Sequence, residues 1–232
     1  MEVLSISRGQ LNLSDRPFRS EKTSLLADPL GLAEAKKSEH YSHAIRPPPS
    51  LVIFDRDGTL IKDTRYPIDP ETIIWKQGAL RVLAWLKAES IAVAVATNQS
   101  GVARGYFTLR QVNAFHIAMD TTIQAEGGHV DAYAICPHLV DGAVAAYAID
   151  CHCRKPKPEL INQLLEKFQV SAENAMMIGD RETDLLAGQA AGVKSFLYDG
   201  GDLFEFTKKA ISANFTLGTL NSDQVTSKAS QT

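Results

Sequence analysis

Apolar and polar residues come in blocks along the middle of this chain, and the blocks change period as they go. Leu51-Val52-Ile53-Phe54 is a short unbroken apolar run ending on acidic residues, the pattern of a fully buried strand. Leu80, Val82, Leu83 and Leu86 then recur at helical spacing between Gly78 and Glu89. Residues 91–96 form a second buried run that ends at Thr97-Asn98-Gln99, and residues 109–126 a second helical pattern stopped by Gly127-Gly128. A third strand is predicted over 130–135. Leu160, Ile161, Leu164, Leu165 and Phe168 make one helical stripe behind Pro156 and Pro158. A strand over 175–178 ends at Gly179-Asp180, a short helix covers 185–191, and a last strand covers 193–197. Repeated β–α units predict an α/β fold, a Rossmann-like three-layer sandwich with a mostly parallel central sheet and helices on both faces.

The flanks read differently. Residues 1–46 mix charges without a sustained period and run into Arg46-Pro47-Pro48-Pro49, a stiff segment that neither a helix nor a central strand can cross. They are expected to be a flexible extension, with the folded domain over 47–218 and a frayed polar tail over 219–232.

At strand ends the chain carries chemistry. Asp55-Arg56-Asp57-Gly58-Thr59 follows the first strand, Lys155-Pro156 precedes the third helical stripe, and Gly179-Asp180 with Asp184 follows the fourth strand. Ligands of open α/β sheets bind at the carboxyl ends of strands. Carboxylates converging there suit a hard cation such as magnesium, and an added lysine suits an anionic substrate. Asp55, first at the strand end, is the candidate nucleophile for phosphoryl transfer, and Asp57 the candidate acid and base. Asp180 would complete the magnesium site. Lys155 and the Thr97 hydroxyl would meet the charge of the transferring oxygens. Alone, Asp-x-Asp-Gly is also the opening of a calcium loop, but Tyr66 stands where an EF-hand loop needs its glutamate.

Composition narrows the classes. The chain has 232 residues, 44% of them hydrophobic, and a formal charge of −3, which argues against a nucleic-acid binder with a broad basic face. No apolar run approaches the roughly 20 residues of a membrane span, and the N-terminus lacks the apolar core of a secretory signal. The only three cysteines fall at 136, 151 and 153. So few, so clustered and odd in number, they suggest metal thiolates in a reducing cytoplasm more than a disulfide framework. Cys136-Pro137-His138 and Cys151-His152-Cys153 are two hooks. Cys136, His138, Cys151 and Cys153 would make a closed tetrahedral zinc set, structural in role. His152 competes with His138 for the fourth place but would have to fold back between two bound cysteines. The zinc would staple the loop 137–150, taken to lack apolar anchorage of its own, and aim Lys155. His116 and His129 read as ordinary surface residues. Without zinc, the alternatives are three free thiols or one disulfide with a spare thiol.

With these residues in view, positions 51–200 resemble the haloacid dehalogenase superfamily of aspartate-nucleophile phosphatases, matching all four of its motifs: Asp55-x-Asp57-Gly58-Thr59, Thr97-Asn98, Lys155, and Gly179-Asp180-x-x-x-Asp184. The resemblance implies magnesium held by the Asp55 carboxylate, the Asp57 backbone carbonyl and Asp180, with Asp184 supporting the site from behind. The cysteine hooks resemble those of the zinc-containing subgroup, which lacks a large cap domain and includes a branch acting on heptose 1,7-bisphosphate and one acting on histidinol phosphate. Thr97-Asn98-Gln99-Ser100-Gly101 and the long loop between the hooks are similar to the heptose branch. Glu159 replaces a glycine usual there, and Gly-Asp-Arg-x-Thr-Asp at 179–184 is closer to the histidinol branch. The resemblance implies substrate contacts from Asp63, Tyr66, Asn98, Gln99, Ser100 and Arg154. Arg154 and Arg181 have the forked geometry to take a second phosphate, whereas a histidinol ammonium would need a carboxylate such as Asp63. The expectation is therefore a monomeric cytoplasmic phosphatase of a small sugar phosphate, or of histidinol phosphate, with no membrane or nucleic-acid partner. A zinc-stapled binding module without catalysis is the alternative from another class.

Overall fold

The computed structural model describes residues 48–215; the expected extension over 1–46 and tail over 219–232 lie outside the described residues, as do 47 and 216–218 at the edges of the expected domain. Five parallel strands form one sheet in the order β3-β2-β1-β4-β5: β1 Leu51–Phe54, β2 Ala92–Asn98, β3 Ala132–Cys136, β4 Ala175–Gly179 and β5 Lys194–Leu197. The helices are α1 Ala79–Ala88, α2 Leu109–Ala125, α3 Glu159–Phe168, α4 Glu182–Ala190 and α5 Leu203–Asn214.

The strict alternation of a strand explains the layering. Val52, Phe54, Val93, Val95, Met176 and Ile178 point to one face and pack with α1, α2 and α5 through Leu83, Leu86, Phe115, Met119 and Ile211. Leu51, Ile53, Ala94, Ala96 and Met177 point to the other and meet Leu160, Ile161 and Leu164 of α3 and Ala187 of α4. Strands buried on both faces must be apolar at every position, which is why they read as unbroken runs.

Three details depart from the sequence expectations. β2 runs on through Thr97 and Asn98, so both lie at the carboxyl edge of the sheet. α4 begins at Glu182 rather than 185, because Asp184 Oδ2 accepts the Arg181 backbone N–H at 3.0 Å and closes the first turn. Acidic Glu182 and Asp184 also suit the positive end of a helix. α5 had no counterpart among the expected elements. Asp202 caps it by accepting from the Phe204 and Glu205 N–H groups, and its buried stripe of Leu203, Thr207, Ala210 and Ile211 is too broken by polar residues to stand out.

The connection from β1 to α1 holds one short 3-10 turn and two isolated bridges, with no separate domain inserted. No helix among the described residues is long and apolar enough to cross a membrane.

Candidate active site

In this strand order the chain leaves β1 toward β2 and β3, then returns to the other side of β1 as β4. The carboxyl ends of β1 and β4 flank the resulting switch point, the place where open α/β sheets bind ligands. Phe54 is in register with Ile178, and the Asp55 N–H donates to the Ile178 carbonyl at 2.9 Å. This pairing carries Asp55 and Asp180 to the same edge. Carboxylate oxygens of Asp55, Asp180 and Asp184 lie within 4.8 Å of one another. Gly58 makes room for this approach: it turns at φ +96°, and a Cβ there would stand 2.1 Å from Asp180 Oδ2. Thr59 Oγ1 donates to Asp180 Oδ1 at 3.4 Å.

Lys155 enters from the loop before α3 and is almost fully buried. Its Nζ donates to Asp55 Oδ1 and the Ala96 carbonyl and forms an ion pair with Asp184 Oδ1, each at 2.6 Å. Two of the three N–H groups of the ammonium are thus taken by hydrogen bonds, and its charge is shared between two carboxylates. Its backbone is held by Asn98, whose Nδ2 donates to Lys155 O and whose Oδ1 accepts Lys155 N–H, both at 3.1 Å. Asn98 thus orients the lysine, and both ends of its amide are taken.

The charges do not balance. The Asp55 carboxyl is raised to about 7, the net of burial pushing it up, Lys155 pulling it down, and Asp184 and Asp57 adding to the rise. Burial, then Asp184, also raises Asp180. Burial works against the Lys155 ammonium, but Asp55 and Asp184 outweigh it and raise its pKa. One ammonium among three converging carboxylates leaves excess negative charge. A divalent oxygen-seeking cation is the charge this cluster lacks, so the residues fit a magnesium ion.

Asp57 takes hydrogen bonds from Arg56 and from Gln99, whose Nε2 lies 2.8 Å from Asp57 Oδ2 and 2.9 Å from Thr97 Oγ1. Gln99 and Thr97 are buried and joined to the acid/base candidate. Two residues here escaped the sequence reading. Arg56 is completely buried. His116 is not a surface residue: it is fully buried, with Nε2 3.1 Å from Arg56 Nη1 and its ring stacked on Tyr133 at 4.2 Å. Burial, then Arg56, holds His116 well below the usual imidazole range. The clue was present, since 116 falls on the α2 stripe of Val112, Phe115, Met119 and Ile123 that faces the core.

The rim carries the remaining expected contacts. Asp63 Oδ2 accepts from Arg181 Nη2 at 2.7 Å. Arg65 and Tyr66 both adopt left-handed backbone, with φ of 62° and 64°. The Tyr66 ring meets Tyr106 edge-on at 5.1 Å. Ser100 lies at the buried start of the loop that bears Tyr106. Arg154 is half-buried and donates to the His138 carbonyl at 3.3 Å.

The two hooks converge. Ligand atoms of Cys136, His138, Cys151 and Cys153 lie within 4.8 Å of one another, all buried, while His152 is exposed. His138 Nδ1 is 3.3 Å from Cys153 Sγ, and Cys136 Sγ is 3.6 Å from Cys151 Sγ. Hydrogen bonding to Cys136, then burial, pushes the Cys153 thiol up, and burial keeps His138 neutral-leaning. Three sulfurs and an imidazole crowded this closely fit a tetrahedral metal site. The loop between the hooks also has packing of its own, contrary to expectation: Tyr147 joins Val102, Phe107 and Val112.

Comparison with known proteins agrees with this geometry. Residues 152–214 match the family model described as HAD-hydrolase-like. The D-glycero-beta-D-manno-heptose-1,7-bisphosphate 7-phosphatase of Rhodopseudomonas palustris is 35% identical over 157 residues, 68% of this chain and 87% of that protein. The enzyme of the same name from Pasteurella multocida is 34% identical over 72% of this chain and 90% of its own length. The crystal structure of D,D-heptose 1,7-bisphosphate phosphatase from B. bronchiseptica, complexed with magnesium and phosphate, superposes with a TM-score of 0.59 at 31% identity, covering 73% of this chain and 92% of that one. Similarity that spans nearly the whole of these relatives, on the fold and strand-end motifs described above, places the chain among the haloacid dehalogenase-like phosphatases, in the family of the D-glycero-D-manno-heptose-1,7-bisphosphate 7-phosphatases.

Proposed function

We propose that this protein is a magnesium-dependent phosphatase that converts D-glycero-D-manno-heptose 1,7-bisphosphate to the 1-phosphate through an aspartyl-phosphate on Asp55. The supporting observation is the convergence of Asp55, Asp180, Asp184 and Lys155 on the switch point between β1 and β4.

Asp55 attacks phosphorus. The acyl–phosphate bond forms, the ester P–O bond breaks, and Asp57 gives its proton to the departing alkoxide. Water then attacks the same phosphorus, Asp57 takes its proton, and the Asp55 carboxylate is regenerated as inorganic phosphate leaves. Asp55, Asp180 and the Asp57 carbonyl would hold a magnesium ion, which when bound would supply positive charge to the phosphoryl oxygens. Lys155 changes partner in this scheme. Once Asp55 becomes a neutral acyl group, its hold on the ammonium weakens, and one N–H turns to the phosphoryl oxygens beside Thr97. Arg154 and Arg181 suit the second phosphate. Arg181 would have to exchange its partner Asp63 for that phosphate, and the bisphosphate is supported over histidinol phosphate by the relatives described above. At the hooks, Cys136, His138, Cys151 and Cys153 would hold a structural zinc ion that fixes the backbone two residues before Lys155.

The test compares kcat/KM for the heptose bisphosphate and histidinol phosphate in magnesium. The bisphosphate is expected to be preferred by about 100-fold, the loss on removing a phosphate from arginine partners being several kcal/mol at most. The 1-phosphate should accumulate. The reverse order would overturn the substrate assignment. Folded, metal-loaded protein that releases phosphate from neither would favour a binding module.

A further inference from the structure

A buried guanidinium is costly unless every side of it is answered, and Arg56 has no exposed surface at all. It stands between the two aspartates of the strand-end motif but turns inward toward α2. Its Nε donates to Asp57 Oδ1 and its Nη2 to Asp57 Oδ2, both at 2.9 Å. Two parallel bonds from a planar fork stop the carboxylate from swinging about its own axis. The fork is itself held from behind. Nη1 lies 3.1 Å from His116 Nε2, Nη2 also donates to the Pro67 carbonyl at 3.2 Å, and the Phe115 ring covers it at 4.8 Å from its centroid.

The imidazole shows which contact the arrangement favours. His116 Nδ1 is buried with no partner among the described residues, while its other nitrogen faces Arg56. Tyr133, stacked on His116 and donating to Asp120 at 2.6 Å, keeps the ring from rotating. A layered assembly from Asp120 through Tyr133 and His116 therefore ends on Arg56, and Arg56 ends on Asp57.

We infer that Arg56, backed by His116, is the positioning residue that aims the Asp57 carboxyl at the leaving oxygen. This role rests on the reading of Asp57 as the acid and base given above. Arg56 touches no substrate; it acts by denying Asp57 other rotamers, which matters because proton transfer needs hydrogen-bond reach in the transition state. The link to Pro67 also ties the acid/base to the end of the rim loop that carries Asp63 and Tyr66.

Leaving-group dependence separates this role from a merely structural one. An alkoxide needs a proton as it departs, whereas p-nitrophenolate leaves without one. The ratio kcat/KM covers only the steps up to the first bond cleavage, so the later action of Asp57 on water does not enter it. Arg56→Lys keeps the charge but loses the fork. It is expected to lower kcat/KM about 100-fold for heptose 1,7-bisphosphate and less than about fivefold for p-nitrophenyl phosphate. His116→Phe, which removes the backing nitrogen, should show a smaller split of the same sign. His116→Asn, which restores an acceptor oxygen, should lie closer to the wild type. If Arg56→Lys does not fold, the two His116 variants decide the matter. Equal losses on both esters, or no loss, with an active wild type would overturn the role of Arg56 alone. A wild type silent on both esters would remove the hydrolytic reading, and the role of Arg56 with it.

Discussion

Replacing Asp55 by asparagine is expected to lower kcat by about 10⁴-fold or more, the scale seen when a covalent nucleophile is removed. The amide matches the carboxylate in shape, so Lys155 keeps its ion pair with Asp184 and its bond to the Ala96 carbonyl. The fold should not suffer, and the sign of the Asp55 shift says why. Its folded pKa is raised to about 7 from 3.8, chiefly by burial. The folded state therefore prefers the neutral carboxyl, and between those two values stability falls as pH rises and the unfolded chain alone ionises freely. An uncharged amide removes that liability at neutral pH. In buffer free of divalent cations, the melting temperature of Asp55→Asn should equal or exceed that of the wild type. Added magnesium should raise the wild-type melting temperature more than the variant's, since ligand binding stabilises only the form that binds. A variant that is both inactive and clearly less stable would point to a structural role for Asp55.

The second large effect is expected at the cysteine hooks. Cys153→Ser replaces one sulfur of the proposed zinc set, four residues whose ligand atoms lie within 4.8 Å of one another, with a hydroxyl that would bind zinc much more weakly. Binding energy of a structural zinc is folding energy. A loss of about 3 kcal/mol would lower the melting temperature of a domain this size by roughly 8 °C. Zinc measured by mass spectrometry should fall from about one ion per chain to well under half. Activity should fall as well, although Cys153 touches no reacting atom. Arg154 and Lys155 follow it directly, and Lys155 reaches Asp55 only if that stretch of chain is held. Full zinc content and an unchanged melting temperature in Cys153→Ser would show that the ligand set is wrong.

Much of the sheet was legible because buried parallel strands need apolar residues at every position, and these runs end on the residues proposed to do the chemistry. Asp55 and Asp180 could be placed at strand ends for that reason. α5 was not legible, since Thr207, Lys208 and Lys209 interrupt its apolar stripe. At the site, what the sequence hid were inward partnerships across long stretches of chain. Asn98 and Gln99 read as substrate contacts, yet Asn98 holds Lys155 from 57 positions away and Gln99 reaches Asp57 from 42. Arg56 was given no role from the sequence, because nothing beside it in the chain marks it as buried. Only the packing of α2 over β1 and β3 shows that a histidine and an aromatic ring wait behind it. His116 was misplaced because its polarity outweighed its position on a buried helical face.

The most direct measurement traps the covalent intermediate. Wild-type protein mixed with magnesium and substrate, quenched in acid within milliseconds and digested, should yield one peptide heavier by a single phosphoryl group. Fragmentation should place that group on Asp55, and hydroxylamine should remove it, as it does acyl phosphates. A phosphoryl group on any other residue would contradict the mechanism proposed for this site. So would rapid phosphate release with no labelled peptide even when Asp57→Asn is used to slow the second step.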